Sequence, residues 1–108
     1  SLVLPKAPIV PDLLTAGLPD ICVRCPGSTT ARALCAAFGR GITSTSANQS
    51  GKPPVHSVAD LDLDGIAVAL DEGELEPGPP STIYDVLAEK VLREGPIGGA
   101  AIANCLRA

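Results

Sequence analysis

Residues 21–39 read Ile21-Cys22-Val23-Arg24-Cys25-Pro26-Gly27-Ser28-Thr29-Thr30-Ala31-Arg32-Ala33-Leu34-Cys35-Ala36-Ala37-Phe38-Gly39, and they decide the fold class. β-branched Ile21 and Val23 with Pro26 just beyond mark 21–24 as a strand. Ser28 supplies a hydroxyl where a helix N-cap needs one. Ala33, Leu34, Ala37 and Phe38 then recur at helical spacing until Gly39, a helix terminator. A strand feeding a capped helix is the repeating piece of α/β layering.

The same alternation continues on both sides. Leu2–Leu4 reads as a strand stopped by Pro5, and Pro11–Leu14 as a helical turn ending near Gly17. Gly41–Thr43 reads as a short strand entering a polar loop, Ser44–Gly51. Ser57 caps a brief helix through Leu61, and the apolar run Ile66–Leu70 predicts a buried strand. Glu72–Pro80 holds three prolines and two glycines and must be a loop. Thr82–Val86 and Lys90–Arg93 read as strands, and Ala100–Arg107 as a terminal helix. The expectation is an α/β fold, a twisted mixed sheet with flanking helices, in a single domain over 1–108.

The chain has 108 residues, 45% of them hydrophobic, with Phe38 and Tyr84 its only aromatics. The core is therefore expected to consist of Leu, Ile, Val and Ala, and folding to remove roughly 60–70% of the unfolded surface from water. No apolar run reaches the ~20 residues of a membrane span. Pro5 and Pro8 break the apolar start and no basic segment precedes it, so no leader is expected, and the location expected is the cytoplasm.

Net charge is −4, but it is divided unevenly: +3 over 1–52, −9 over 53–89 and +2 over 90–108. An acidic middle argues against a broad nucleic-acid surface, while a small anion held by a few arginines fits. Cys22, Cys25, Cys35 and Cys105 lack a second C-x-x-C or a histidine pair, and strand alternation sets Cys22 and Cys25 on opposite faces. Free, partly buried thiols are expected. Asp60, Asp62, Asp64, Gly65 and Asp71 spell part of a calcium loop, but Pro53-Pro54 and Glu72–Pro80 deny it both flanking helices. No P-loop, dinucleotide fingerprint or serine-nucleophile elbow is present.

The segment Thr43-Ser44-Thr45-Ser46-Ala47-Asn48-Gln49-Ser50-Gly51 gathers hydroxyls and backbone N–H groups where one polar or anionic ligand could meet them. Together with LTAGLPDICVRCP (14–26), STIYDV (81–86) and VLREGPI (91–97), it resembles the YrdC-like domain of the L-threonylcarbamoyladenylate synthases. That family condenses L-threonine, bicarbonate and ATP into threonylcarbamoyl-AMP and pyrophosphate, a nucleotidyltransfer that supplies a tRNA modification. The resemblance implies that Arg24, Ser44 and Ser81 hold threonine, with Arg24 on its carboxylate. It places Ser46, Asn48, Pro54 and Arg93 against the nucleotide, with Mg²⁺ expected alongside ATP. Family domains begin with a basic Lys-x-Arg element that this chain lacks, so a second chain supplying that N-terminal half is an expected partner. Asp20 stands where many relatives carry Thr. Two other readings stay open: an RNA-binding module of the same fold, drawing on Lys6, Arg24, Arg32, Arg40 and Lys52, and an inactive or partner-dependent fragment.

Overall fold

The computed structural model describes residues 1–108 and contains four strands and two α-helices: β1 (Leu2–Pro5), β2 (Asp20–Val23), α1 (Thr29–Phe38), β3 (Ile83–Asp85), β4 (Lys90–Arg93) and α2 (Gly99–Arg107). The strands form one sheet in the order β2-β1-β3-β4. β1 runs antiparallel to β2, parallel to β3, and β3 antiparallel to β4. The sheet is therefore mixed, and the fold is α/β as expected.

The chain divides into two compact units. The first comprises Ser1–Leu34 and Pro79–Ala108, and the second Cys35–Gly78. In the first, β1 and β2 pair from Leu2↔Val23 to Pro5↔Asp20, and the Lys6 N–H extends the ladder to Pro19 O at 2.9 Å. The connection between them is held by polar groups. Lys6 pairs with Asp12 and also reaches Thr15 Oγ1 at 3.2 Å, while buried Thr15 donates to Leu18 O at 2.9 Å. The expected turn after Pro11 is a 3₁₀ turn over Asp12–Leu14, closed by Ala16 and Gly17 in left-handed conformations (φ 51° and 79°). β3 and β4 join through a tight turn in which Asp85 Oδ1 accepts the Ala88 N–H at 2.9 Å. α2 comes so close to the sheet that a Cβ on Gly99 would lie 2.2 Å from Val91 Cγ2.

α1 starts and stops where the sequence says. Ser28 Oγ accepts the Ala31 N–H at 3.1 Å, the N-cap bond, and Gly39 follows at φ 77°. Its apolar stripe is nonetheless open: no α1 residue is buried, and Phe38 is 60% exposed, with the Arg40 guanidinium 5.7 Å from its ring centroid.

Four expectations are corrected. Gly41–Thr43 and Ile66–Leu70 are not strands. An apolar run becomes a strand only when another strand satisfies its N–H and C=O groups, and neither run has one; Val68 is 78% exposed. The aliphatic core is also absent, since Tyr84 (4% exposed) is the only buried hydrophobic residue. Finally, only Cys35 is half-buried, Cys22, Cys25 and Cys105 being exposed free thiols. The accessible surface is 8350 Å², against roughly 5,600 Å² for a folded monomer of this mass, so folding removes only about half of the unfolded surface rather than the roughly 60–70% expected.

Candidate functional site

The strand register alone gathers a set of polar residues at one end of the sheet. Arg24 directly follows Val23, which pairs with Leu2, so it stands beside Ser1. Leu2 pairs with Tyr84 in the parallel ladder, which brings the residues preceding β3, Ser81 and Thr82, to the same end. Arg93, the last residue of β4, pairs with Ile83. Arg24, Ser1, Ser81 and Arg93 thus share one end, while Asp20 pairs with Pro5 at the other. Four strand residues at ~3.3 Å each separate Asp20 from Arg24 by about 13 Å, so its carboxylate is remote from this cluster.

The hydrogen bonds there are specific. Arg93 donates from both Nε (3.0 Å) and Nη2 (2.8 Å) to Ser81 O. Ser81 Oγ lies 3.0 Å from Ser1 Oγ. Thr82, 3% exposed, donates its hydroxyl to Ile97 O at 2.5 Å. The two ion pairs of the chain, Lys6–Asp12 and Arg107–Glu89, use neither Arg24 nor Arg93. Both guanidiniums are exposed and keep their charge for an incoming anion.

The hydroxyl-rich loop belongs to the second unit. Asn48 organises it: Nδ2 donates to Gln49 O (3.0 Å) and Lys52 O (2.7 Å), while its Oδ1 is buried with no partner. Thr45 Oγ1 accepts the Ala47 N–H at 3.4 Å. Ala47 itself is left-handed, φ 53°, a conformation that costs a non-glycine residue about 1–2 kcal/mol. Gln49 Nε2 ties the loop to Asp62, reaching Oδ2 at 3.1 Å and the backbone carbonyl at 3.3 Å. A recess of about 220 Å³ is lined by Asn48, Gln49, Lys52, Pro53 and Asp62 among others. A second, of about 170 Å³, is lined mainly by Val55, Val58, Leu61, Leu70 and Leu75, with His56 and Glu72. Each is smaller than the roughly 300–1,000 Å³ of an ordinary ligand cleft. Ser44, Ser46 and Pro54 are exposed in the same unit.

Of the residues singled out from the sequence, the sheet end brings together Arg24, Ser81 and Arg93, and the loop brings together Asn48 and its neighbours. The sequence reading missed Ser1, Thr82, Gly95 and Asp62. Ser1 carries no motif and Asp62 stood only in the rejected calcium-loop spelling; both enter through pairing with residues 80 and 13 positions away. Gly95 had a local signal, a glycine just past a strand, which marks close backbone approach.

Residues 1–95 match the Sua5_yciO_yrdC family model, described as telomere recombination. The chain belongs to this family. Among its curated relatives in the family, the Threonylcarbamoyl-AMP synthase of Alkalilimnicola ehrlichii is 38% identical over 96 residues, covering 83% of this chain and 50% of that protein. That of Sodalis glossinidius is 35% identical over 95 residues, covering 86% and 50%. The Pyrococcus abyssi protein of the same name is 39% identical over 89 residues, covering 80% and 26%. The chain spans half or less of the length of these relatives. No solved structure matches it significantly.

Proposed function

We propose that this chain carries out, or forms part of, a threonylcarbamoyl-AMP synthase, a nucleotidyltransferase joining L-threonine, bicarbonate and ATP with release of pyrophosphate. The observation that carries the reading is that Arg24, Ser81 and Arg93 share one end of the sheet, two cations outside any ion pair at the same end as a hydroxyl. Family membership and the names of the relatives support it. The family model spans both compact units, which supports treating 1–108 as part of one YrdC-like domain.

In this reading the first unit holds the amino acid, Arg24 pairing with the threonine carboxylate, for which a guanidinium fork is suited, and Ser81 contacting it, while Arg93 offers its charge to phosphate. In the second unit the resemblance assigns Ser44 to the amino acid and Ser46, the Asn48 loop and Pro54 to the nucleotide. The threonine amine and bicarbonate give the carbamate with loss of water. A carbamate oxygen then attacks the α-phosphorus, and the bond to the β-phosphate oxygen breaks as pyrophosphate leaves. Negative charge grows on the phosphates, and cations with aligned N–H groups offset it. Positioning contributes most of the rate, so no strong side-chain base is needed. Mg²⁺ fits as a companion of the triphosphate: it takes one or two carboxylates plus phosphate oxygens, and Asp62 is the carboxylate lining the recess beside Asn48 and Lys52. When bound, it would neutralise phosphate charge.

The test is pyrophosphate release from ATP with threonine and bicarbonate added singly and together. Release that needs both is expected, and its loss in Arg24→Ala. A second reading is supported by the large accessible surface: turnover requires another polypeptide covering that surface. Threonine and ATP binding without pyrophosphate release would favour it, and absence of binding would overturn both. The RNA-binding reading gains little support, since the second unit sets seven carboxylates against Arg40 and Lys52.

A further inference from the structure

Arg93 and Gly95 converge on a single peptide. The Arg93 fork closes on Ser81 O through two nitrogens, at 3.0 and 2.8 Å. Two positions on, Gly95 lies so close to the same backbone that a Cβ would stand 2.3 Å from Thr82 N, 2.4 Å from Pro80 O and 2.7 Å from Ser81 C. All three are backbone atoms, so no rotamer change could make room. Thr82 adds a third hold through its bond to Ile97 O at 2.5 Å. Segment 80–82 leaves a loop rich in proline and precedes the strand pairing, which begins at Ile83. Its other hydrogen bonds come from Ser1, whose Oγ lies 3.0 Å from Ser81 Oγ and whose amine donates to Thr82 O at 2.8 Å; these tie the segment to β1, and the clamp holds it from the β4 side.

We propose that Arg93 and Gly95 are positioning residues that clamp the Pro80–Thr82 backbone and so aim the Ser81 side chain at an amino-acid ligand. The ligand half of this inference rests on the reading of Ser81 under the proposed function. The clamp also bears on Arg93. A guanidinium has five N–H groups, and the clamp uses two of them, leaving three for an anion. One side chain can therefore hold the amino-acid contact and meet a phosphate, which links the two ligands through a shared group. Lysine cannot take its place, because a point ammonium lacks the fork.

The experiment measures amide hydrogen exchange of the full chain together with threonine and ATP affinity by calorimetry, for the unaltered protein, Gly95→Ala and Arg93→Lys. In both variants exchange should rise across 81–83 while the β1–β2 ladder keeps its protection. Gly95→Ala displaces the peptide by about 1 Å, and a shift of that size can cost as much as 100-fold. Its threonine Kd should rise at least tenfold and its ATP Kd less than threefold. The double variant should bind threonine no worse than Gly95→Ala alone, since both changes act on one peptide. If Gly95→Ala also loses the β1–β2 ladder, Arg93→Lys, which adds no atom to the gap, carries the exchange and threonine readouts, while its ATP affinity falls as well because the side chain meets phosphate. Unchanged exchange at 81–83 would overturn the clamp, and equal losses for threonine and ATP in Gly95→Ala would overturn its aim at the amino acid. Raised exchange with no threonine binding by the unaltered chain would support the clamp and overturn the amino-acid reading.

Discussion

Thr82 shows how much a single polar side chain can carry where hydrophobic burial is scarce. It is among the three buried residues of the chain, with Thr15 and Tyr84, and its hydroxyl satisfies a carbonyl 15 residues away. Thr82→Val keeps the shape and removes the donor, leaving Ile97 O with no hydrogen from this residue. A loss of about 1–2 kcal/mol is expected, read as a fall in the denaturant midpoint with an unchanged slope. Thr82→Ser, which retains the hydroxyl, should recover most of it. Asn48 acts similarly within its loop, spending both amide hydrogens on the carbonyls of Gln49 and Lys52. Asn48→Asp would set a carboxylate against those two carbonyls and loosen the loop; under the proposed function, ATP affinity should then fall about tenfold or more, measured by calorimetry.

Among the elements, α1 depends on its cap more than most helices do. None of its residues is buried, so little packing energy assists the Ser28 bond to Ala31. Ser28→Ala should cost about 1 kcal/mol and appear as a visible drop in far-ultraviolet helical signal rather than only as a lower melting temperature. This helix also shows what was legible in the sequence. Its capping residue, its span and its glycine stop are local chemistry, and all three could be read directly. The four strands were legible for the same reason, since β-branched residues and prolines bound them. Gly41–Thr43 and Ile66–Leu70 were misread because strand formation is a property of pairs, and a single run does not say whether a partner exists. Arg24, Ser81 and Arg93 could be nominated one by one, but their meeting at one sheet end depends on register, which no short stretch encodes. The clamp on Ser81 O was hidden because its acceptor is a backbone carbonyl, a group every residue has.

Taken whole, the molecule exposes far more apolar surface than its composition suggests, with Ile9, Leu13, Leu87 and Val68 each more than two-thirds exposed. The unfolding slope scales with the surface newly exposed, and burial of about half the unfolded surface instead of about two-thirds should yield an m-value roughly three-quarters of that of an ordinary domain of this length. An m-value matching an ordinary domain would mean that the surface is covered in solution. The central pair of the sheet adds a point about time. Leu2 and Val3 pair with Tyr84 and Asp85, so β1 and β2 emerge from the ribosome long before β3 exists. At roughly 5–20 residues per second, the ~60 residues between β2 and β3 take about 3–12 s to synthesise. Throughout that interval the inner edge of β1 is an unpaired template open to any passing strand, so the order of synthesis leaves this protein's own hairpin to wait for its neighbour.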